Sequence, residues 1–476
     1  MPAIRTDSSG TNRALHPRGS PDSVLSNAVT ASSGSQSTQR RSRRFICDAS
    51  TPESALTSLS PTPEPQIPTI VVCGRVLEPT VVFDTLWRWL VKRKNIDDKR
   101  RKGMPAPWTD DPILRKYKFC HAYRVLDRTS QFVVTDVIEK GSQDRTELLF
   151  RILLFNCFNR IETWKLLEDA LGGKLTFAEY DIHKYDRILS RAIERKVSLY
   201  TAAYIKIAKR FEYDTNHMGH LQMLEVFMRD LPSVLEKPAF AANVYEQIAA
   251  YPGMAAFTSY QLMLSLSYSS LLNFAANDFV VPGPGASSGL AKMFGASLRH
   301  AADVVPDIET QVLRYMAEHQ REHFARLGLD FSFLRDAAGK VLELSVADLE
   351  HAVCEVDKYA RLAHPQIAGT SKSRTELRGQ FCASPEGLPA MPALPRAWAH
   401  PARRTARVRL GPTVVDQRYC CVKITDERGA GREVEYLVWW FGYTKPTWEP
   451  RKTMLKDAPE LVKDYAKTKK TTKTRH

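Results

Sequence analysis

Residues 146–172, TELLFRILLFNCFNRIETWKLLEDALG, decide the fold class. Apolar side chains recur at Leu149, Ile152, Leu153 and Leu154, then at Phe158 and Ile161. That is the period of one helix face rather than the alternation of a half-buried strand. Gly172 and Gly173 follow, and glycine releases a chain from a helix by accepting left-handed backbone angles. Working outward, the same period returns in DRILSRAIERKVSLYTAAYIKIAKRF (186–211), HLQMLEVFMRDL (220–231), ETQVLRYMAEHQREHFARL (309–327) and SVADLEHAVCEVDKYARL (345–362). The span from Ile70 to about Pro365 is therefore expected to be a mainly helical domain. QFVVTDVIE (131–139) reads equally as a short strand or as part of a helix.

The flanks differ in composition. Residues 1–68 are rich in Ser, Thr, Pro and Arg and cannot bury enough apolar area to offset ordering, so this region is expected to be disordered. Within it QRRSRRF clusters Arg40, Arg41, Arg43 and Arg44, a pattern that suits a nuclear localisation signal, a phosphate-binding arm or simply a solubilising patch. Residues 366–404, dense in Pro and Ala without a period, read as a linker, and 468–476 as a basic tail. The uncharged stretch Gln247–Asn277 carries Pro252, Gly253 and Gln261, which fits a buried helical hairpin better than a membrane span. No membrane partner is expected, and MPAIRTDSSG has no apolar segment of a secretory signal. The formal charge of +15 over 476 residues favours a polyanion such as nucleic acid. Eight cysteines without a CxxC pair point to reduced thiols inside a cell.

After the linker, RVRLG, RYCCVKITDE and EVEYLVWWFGY alternate as short antiparallel strands do, and Asp457–Lys467 reads as a closing helix. The run YCCVKITDERGAGREVEYLVWWFGYTKPTWEPRKTML resembles the chromodomain family, with YLVWW, GY and TWEP in the family's order. The resemblance implies a small α+β module over 405–467, a three-stranded antiparallel sheet plus a C-terminal helix. It implies a histone tail as partner, recognised through methyl-lysine, and a location in the nucleus. A methylated ammonium keeps its charge and gains apolar surface, so aromatic faces attract it. The family's cage falls on Tyr419, Trp440 and Tyr443, and Trp448 is expected in the module's core. Trp439 and Phe441 stand where the family usually has lysines, and the short loop carries Lys445 where acidic residues are common.

Three blocks of the central domain carry a second resemblance. They are WRWLVKRKNIDDKRRKGMPAPWTDDPILRKYKFCHAYRVLDRTSQ (87–131), FTSYQLMLSLSYSSLLNFAANDFVVPGPGASSGL (257–290) and DLEHAVCEVDKYAR (348–361). In the first, cations interleave with aromatics, including Arg93, Lys94, Arg100 and Arg101 beside Trp108. Cations suit phosphates and aromatic faces suit an unstacked base. Trp87 and Trp89 are instead expected to pack inward. PWTDDP makes a rigid polar loop with Thr109, Asp110 and Asp111. Arg124, Asp127 and Gln131 follow at helical spacing, and a glutamine can read a base edge. Gly283 and Gly285 would permit close backbone approach to a phosphate, or would simply form a helix connection. Glu355 and Lys358, near His351, could perform acid–base work or form a solvated ion pair.

The blocks resemble the helical domain of 5-hydroxymethyl-deoxyuridine DNA kinases and of thymine-hypermodification pyrophosphorylases, whose fold is related to helix-hairpin-helix DNA glycosylases. The resemblance implies a DNA partner and a site for a modified thymine. Its candidate catalytic groups are Asp111, Asp127, Glu355 and Lys358, and its DNA- or nucleotide-binding residues are Arg93, Trp108, Arg124, Gln131, Gly283 and Gly285. No GxxxxGK[ST] is present, so the family's kinase partner domain is not expected, and Ser265 stands where an acidic residue is expected. Neither a metal nor a cofactor is expected, because His351, Cys354 and Glu355 have compatible spacing but no further ligand. The sequence thus leads to a chromatin-associated protein that reads methyl-lysine and binds DNA. The alternatives are an active base-processing enzyme of glycosylase or nucleotide-transfer type, and a non-catalytic scaffold from a mobile element. Asp111, Arg124, Gln131 and Glu355 are expected to line one cleft.

Overall fold

Thr80 starts the helical body. Its hydroxyl accepts from the Val82 amide, and the chain then runs as a long helix, α1 (Val81–Arg101), after a hairpin of β1 (Ile70–Val72) and β2 (Arg75–Leu77). Phe83, Leu86, Trp87 and Leu90 form the buried face of α1, with Trp87 stacked 4.9 Å from His323. The computed structural model describes residues 67–201, 215–236, 238–370, 377, 379–383, 387–409, 413–416, 418–443 and 445–473. The N-terminal region with its arginine cluster, part of the 186–211 pattern and the end of the basic tail lie outside them.

The body continues through α2 (Pro112–Lys116), α3 (Arg128–Phe132), α4 (Arg145–Phe158), α5 (Ile161–Leu171), α6 (Ile182–Glu194), α7 (Asn216–Val234), α8 (Ala241–Ala249) and α9 (Ala256–Leu266). α10 (Pro284–Ala302), α11 (Ile308–Glu318), α12 (Gln320–Arg326), the short hairpin β3 (Leu334–Arg335) and β4 (Val341–Leu342), and α13 (Val346–Ala363) complete it. The stretch 146–172 is two helices, because Asn159 takes a left-handed φ of 49° and ends α4 before Gly172 ends α5. QFVVTDVIE is helical: α3 widens into a π-turn over Val133–Ile138. The uncharged stretch is buried, with Tyr260 and Leu266 fully enclosed. Among the described residues no helix is long and apolar enough to cross a membrane.

α13 lies at the centre. Ser345 and Asp348 form a capping box at its start, and α10 packs along it closely. A Cβ on Gly285 would sit 2.3 Å from the Cys354 sulfur, and one on Gly289 would sit 2.6 Å from the Val353 carbonyl. These glycines therefore serve helix-to-helix approach.

The described parts of 366–404, expected to be a linker, are tied to the body. They carry only short 3-10 turns at Arg396–Ala399 and Pro401–Arg403, and their backbone groups and arginines find partners on the body. Gly379 accepts from the Lys118 amide at 2.8 Å, and the Phe381 amide donates to Lys116 at 3.0 Å. Ala393 exchanges two hydrogen bonds with the Gln131 amide, and Arg403 donates to the Ser267 and Ser269 carbonyls.

A three-stranded antiparallel sheet follows, in the order β5 (Cys421–Arg428), β6 (Glu435–Trp440), β7 (Thr447–Pro450), closed by α14 (Arg451–Asp457) and α15 (Pro459–Lys473). The alternation in EYLVWW places Tyr436, Val438 and Trp440 inside, over Ile424, Met454 and Val462. Arg407–Arg409 of RVRLG is irregular rather than a strand. Trp448 is not core: it is half-buried on the outer face, with the Arg428 guanidinium 4.4 Å from its ring centre. Cys420 and Phe441 belong to the core of the helical body instead of the sheet's own core. Arg418 reinforces that docking by donating its amide to Ala250 at 2.8 Å, and Arg229 donates to the Cys421 carbonyl at 2.8 Å.

Candidate functional site

α13 carries Asp348, His351, Glu355, Lys358 and Tyr359 at steps that place them on adjoining faces of one helix. The loop and short helices over 107–131 lie against them. The Arg124 amide donates to Asp348 at 2.7 Å, and its guanidinium reaches His351 Nδ1 at 3.4 Å and the Gln261 side chain. His351 Nε2 lies 3.0 Å from Asp127 Oδ2, and Asp127 Oδ1 accepts from the His121 amide at 2.8 Å. Glu355 accepts from the Cys120 amide at 3.1 Å and from Lys358 Nζ at 2.5 Å. Asp111 accepts from Tyr359 at 2.7 Å and from Lys92 at 2.8 Å, while its other oxygen caps α2.

These contacts fix the electrostatics. Burial pushes Asp127 up, but its hydrogen bonds from the His351 ring and the His121 amide, with both imidazoles close by, outweigh it and hold the carboxyl at about 2. Asp111 is lowered for a parallel reason: burial is outweighed by Lys92, Tyr359 and the Leu114 amide. Burial and the neighbouring Arg93 lower His121 to about 4. Burial opposes the charge on Lys358, yet Glu355 keeps its ammonium above the ordinary lysine range. Burial, then Asp127 and Glu355, drive the Cys120 thiol well above its usual value. The stripe opens to solvent at Lys358, whose side chain is 40% exposed against 3% for Glu355.

Cys120, Asp127 and His351 place one donor atom each within 4.8 Å of one another, a spacing open to a metal ion among the described residues. The hydrogen bonds argue for a different use. Arginine only donates, so His351 Nδ1 accepts from Arg124 and the ring's proton sits on Nε2, facing Asp127. A cation on Nε2 would move that proton to Nδ1, against the guanidinium. The donor set fits a fixed imidazole–carboxylate pair better than a cation.

The structure thus brings Asp111, Asp127, Glu355, Lys358 and Arg124 around one helix. It separates others. Gln131 is occupied by backbone, donating to Val125 and Ala393 and accepting from Ala393, so it is not free to read a base edge. Asp127 has extended backbone angles between two short helices, so Arg124, Asp127 and Gln131 share no continuous helix face. The Gly283 amide donates to Glu350, and Gly285 faces Cys354, which turns the glycine hairpin inward. Arg93 and Lys94 are buried, and Arg101 pairs with Asp97, so these three are not an exposed phosphate-binding face. A cavity of about 360 Å³ is lined by Arg93, Trp108, Thr109 and Phe119 but by none of Asp111, Arg124, Gln131 and Glu355. That cavity does not join the four residues expected to share a cleft, and Gln131 is turned to the backbone of Val125 and Ala393. Tyr359, Gln261, His121 and Cys120 were not among the expected site residues; the partners of Tyr359, Gln261 and Cys120 lie far away in sequence, and no periodic pattern marks the contact of His121 with Asp127.

In the C-terminal sheet Tyr419, Trp440 and Tyr443 meet. Tyr419 stacks on Tyr443 at 5.7 Å and stands edge-on to Trp440 at 6.4 Å. Trp440 is 2% exposed, and its indole donates to Thr447 at 2.7 Å.

A helical body that concentrates carboxylates, imidazoles and cations along one internal helix is a fold organised around a polar site. The family model described as 5-hmdU DNA kinase, helical domain, matches residues 80–369, and the chain belongs to that family. A relative, the 5-hmdU DNA kinase of Bacillus phage SP10, is 24% identical over 302 residues, covering 58% of this chain. The match spans 45% of that relative, less than half of its length. No solved structure matches the chain.

Proposed function

We propose that this protein processes a base in DNA, a modified thymine of the 5-hydroxymethyluracil class, with the polar face of α13 as its chemical centre. The observation that supports this most is the Glu355–Lys358 pair beside the Arg124–His351–Asp127 chain. Burying so many ionisable groups is costly unless each is paired, and such groups gather where chemistry needs their charge states set. Glu355 is the group to take or give a proton, and Lys358, held cationic at the solvent end, stabilises negative charge developing on a base or sugar. Membership of a family named for a DNA kinase supports DNA as the macromolecule addressed. Glycosylase and nucleotide-transfer chemistry both suit these groups.

The test is to incubate the full chain with duplex DNA containing 5-hydroxymethyluracil or thymine, with and without nucleoside triphosphate, and to analyse the nucleosides by mass spectrometry. Loss or mass change of the modified base alone is expected. DNA that binds and stays unchanged in every arm would leave a non-catalytic scaffold.

A second reading concerns the C-terminal sheet. The meeting of Tyr419, Trp440 and Tyr443 supports a chromodomain-type site for methylated lysine, as on a histone tail, which would place the protein on chromatin in a nucleus. Comparing trimethylated with unmodified histone peptides on the full chain tests it, and equal binding would contradict it.

A further inference from the structure

We infer that the cavity beside α2 receives one unstacked base of a DNA strand, and that the segment after the family-matched region supplies one of its walls. This rests on the base-processing reading above and names where the strand enters.

The cavity holds about 360 Å³, within the ~300–1,000 Å³ range of sites for small planar ligands. Trp108 and Phe381 stand nearly perpendicular, 6.2 Å apart and at 89°. Both rings are fixed from behind. The Trp108 indole donates to Met104 at 2.7 Å, and the Arg100 guanidinium lies 5.3 Å from the Trp108 ring centre and 5.6 Å from that of Phe381. Phe381 is anchored by its amide bond to Lys116 and by the bridge between Tyr117 and Gln380. Phe381 lies beyond residue 369, where the family match ends, so this wall is an addition to the matched domain. Tyr117 and Phe119 complete the apolar lining, and Thr109 contributes a hydroxyl.

The rear of the cavity connects to the polar stripe. Arg93, part of the lining, donates to the carbonyl of Cys120 at 2.9 Å, and the amide of that same residue holds Glu355. One exposed cation, Arg115, lines the cavity, and Lys116 and Lys118 flank the lining residue Tyr117 in sequence. Arg115, Lys116 and Lys118 are exposed, and among the described residues none has a carboxylate within ion-pair distance. They stand in close succession at the end of α2. One free nucleotide offers phosphate at a single point, whereas cations in succession suit the repeating phosphates of a strand. Aromatic walls with a cationic edge are the arrangement that holds single-stranded bases without reading their sequence.

The experiment uses the full chain and a fluorescein-labelled single-stranded oligothymidylate, followed by anisotropy over a salt series. Trp108→Ala and Phe381→Ala are each expected to weaken binding roughly five- to a hundredfold, and Phe381→Tyr to restore most of it. Replacing Arg115, Lys116 and Lys118 together by Ala is expected to flatten the slope of log affinity against log salt by about 2. If the wild type binds but the Trp108 and Phe381 variants bind equally well, the cavity assignment is overturned while the base-processing reading stands. If thymidine monophosphate displaces the oligonucleotide at equal nucleotide concentration, the DNA-strand occupant is overturned. If the wild type binds no DNA at all, the reading beneath this inference falls with it.

Discussion

The polar stripe of α13 and the aromatic cluster of the C-terminal sheet are assembled in opposite ways. Apart from the local Glu355–Lys358 and His121–Asp127 contacts, the stripe is tied together by distant segments: His351 meets Asp127, Glu355 meets Cys120, and Tyr359 meets Asp111. The aromatic cluster joins Tyr419, just before β5, to Trp440 at the end of β6 and Tyr443 just after it. A long-range polar site exists only when the whole body is folded, so its chemistry and the fold's integrity are coupled. A short-range aromatic site can form within one small sheet. Yet the sheet here has given up that independence, because Phe441 and Cys420 are built into the helical core.

The largest effect expected from breaking this arrangement is at Phe441, which is 1% exposed. Phe441→Ala removes a buried ring at the junction and should lower stability by ~3–5 kcal/mol. Limited proteolysis should then cut between body and sheet. Denaturant unfolding that shows a loss below ~1 kcal/mol would mean the two parts are only loosely apposed.

A smaller effect sharpens the polar side. The native carboxyl of Asp127 sits at about 2, below its ordinary value of 3.8. A depressed carboxyl contributes stability that is fully present above the unfolded value and is lost as pH falls through the folded one. The contribution is about 2 kcal/mol, lost between roughly pH 4 and pH 2. Asp127→Asn should flatten the stability curve across that window. A variant whose acid unfolding superimposes on the wild type would show that His351 does not hold this carboxyl.

The smallest effect belongs to the aromatic side. Tyr419 and Tyr443 stack directly on each other, so a methylammonium must part them before it is enclosed. The preference for a trimethylated over an unmodified peptide should be only ~0.5–1 kcal/mol, and Tyr443→Leu should abolish it. A preference far above that range would show that the stack opens easily.

The same contrast explains what was legible in the sequence. The helical body follows from apolar periodicity, and Trp87 and Trp89 pack inward as expected. The sheet follows from alternation, with TWEP forming β7 itself, whereas the one closing helix expected over Asp457–Lys467 is two helices that part at Ala458. Glu355 and Lys358 share a helix, so their pairing was visible as local spacing. The Asp127–His351 pair was not, because no local period relates the two positions. Basic residues of α1 read as exposed are partly interior: Arg93 spends its donors on the Cys120 and Phe119 carbonyls, and Arg101 spends its charge on Asp97. Charge counted along a sequence cannot tell a solvated cation from one holding a loop. Phe381 was hidden for the opposite reason, since a Pro- and Ala-rich segment gives no periodic sign that one ring is seated.

The most direct test of α13 as the chemical centre is single-turnover kinetics on DNA containing 5-hydroxymethyluracil, comparing the full chain with Glu355→Gln. The substitution preserves shape and removes the carboxylate that pairs with Lys358. The account predicts a rate reduced by roughly 10²–10⁴-fold with DNA affinity nearly unchanged. Equal rates for the two proteins would contradict it.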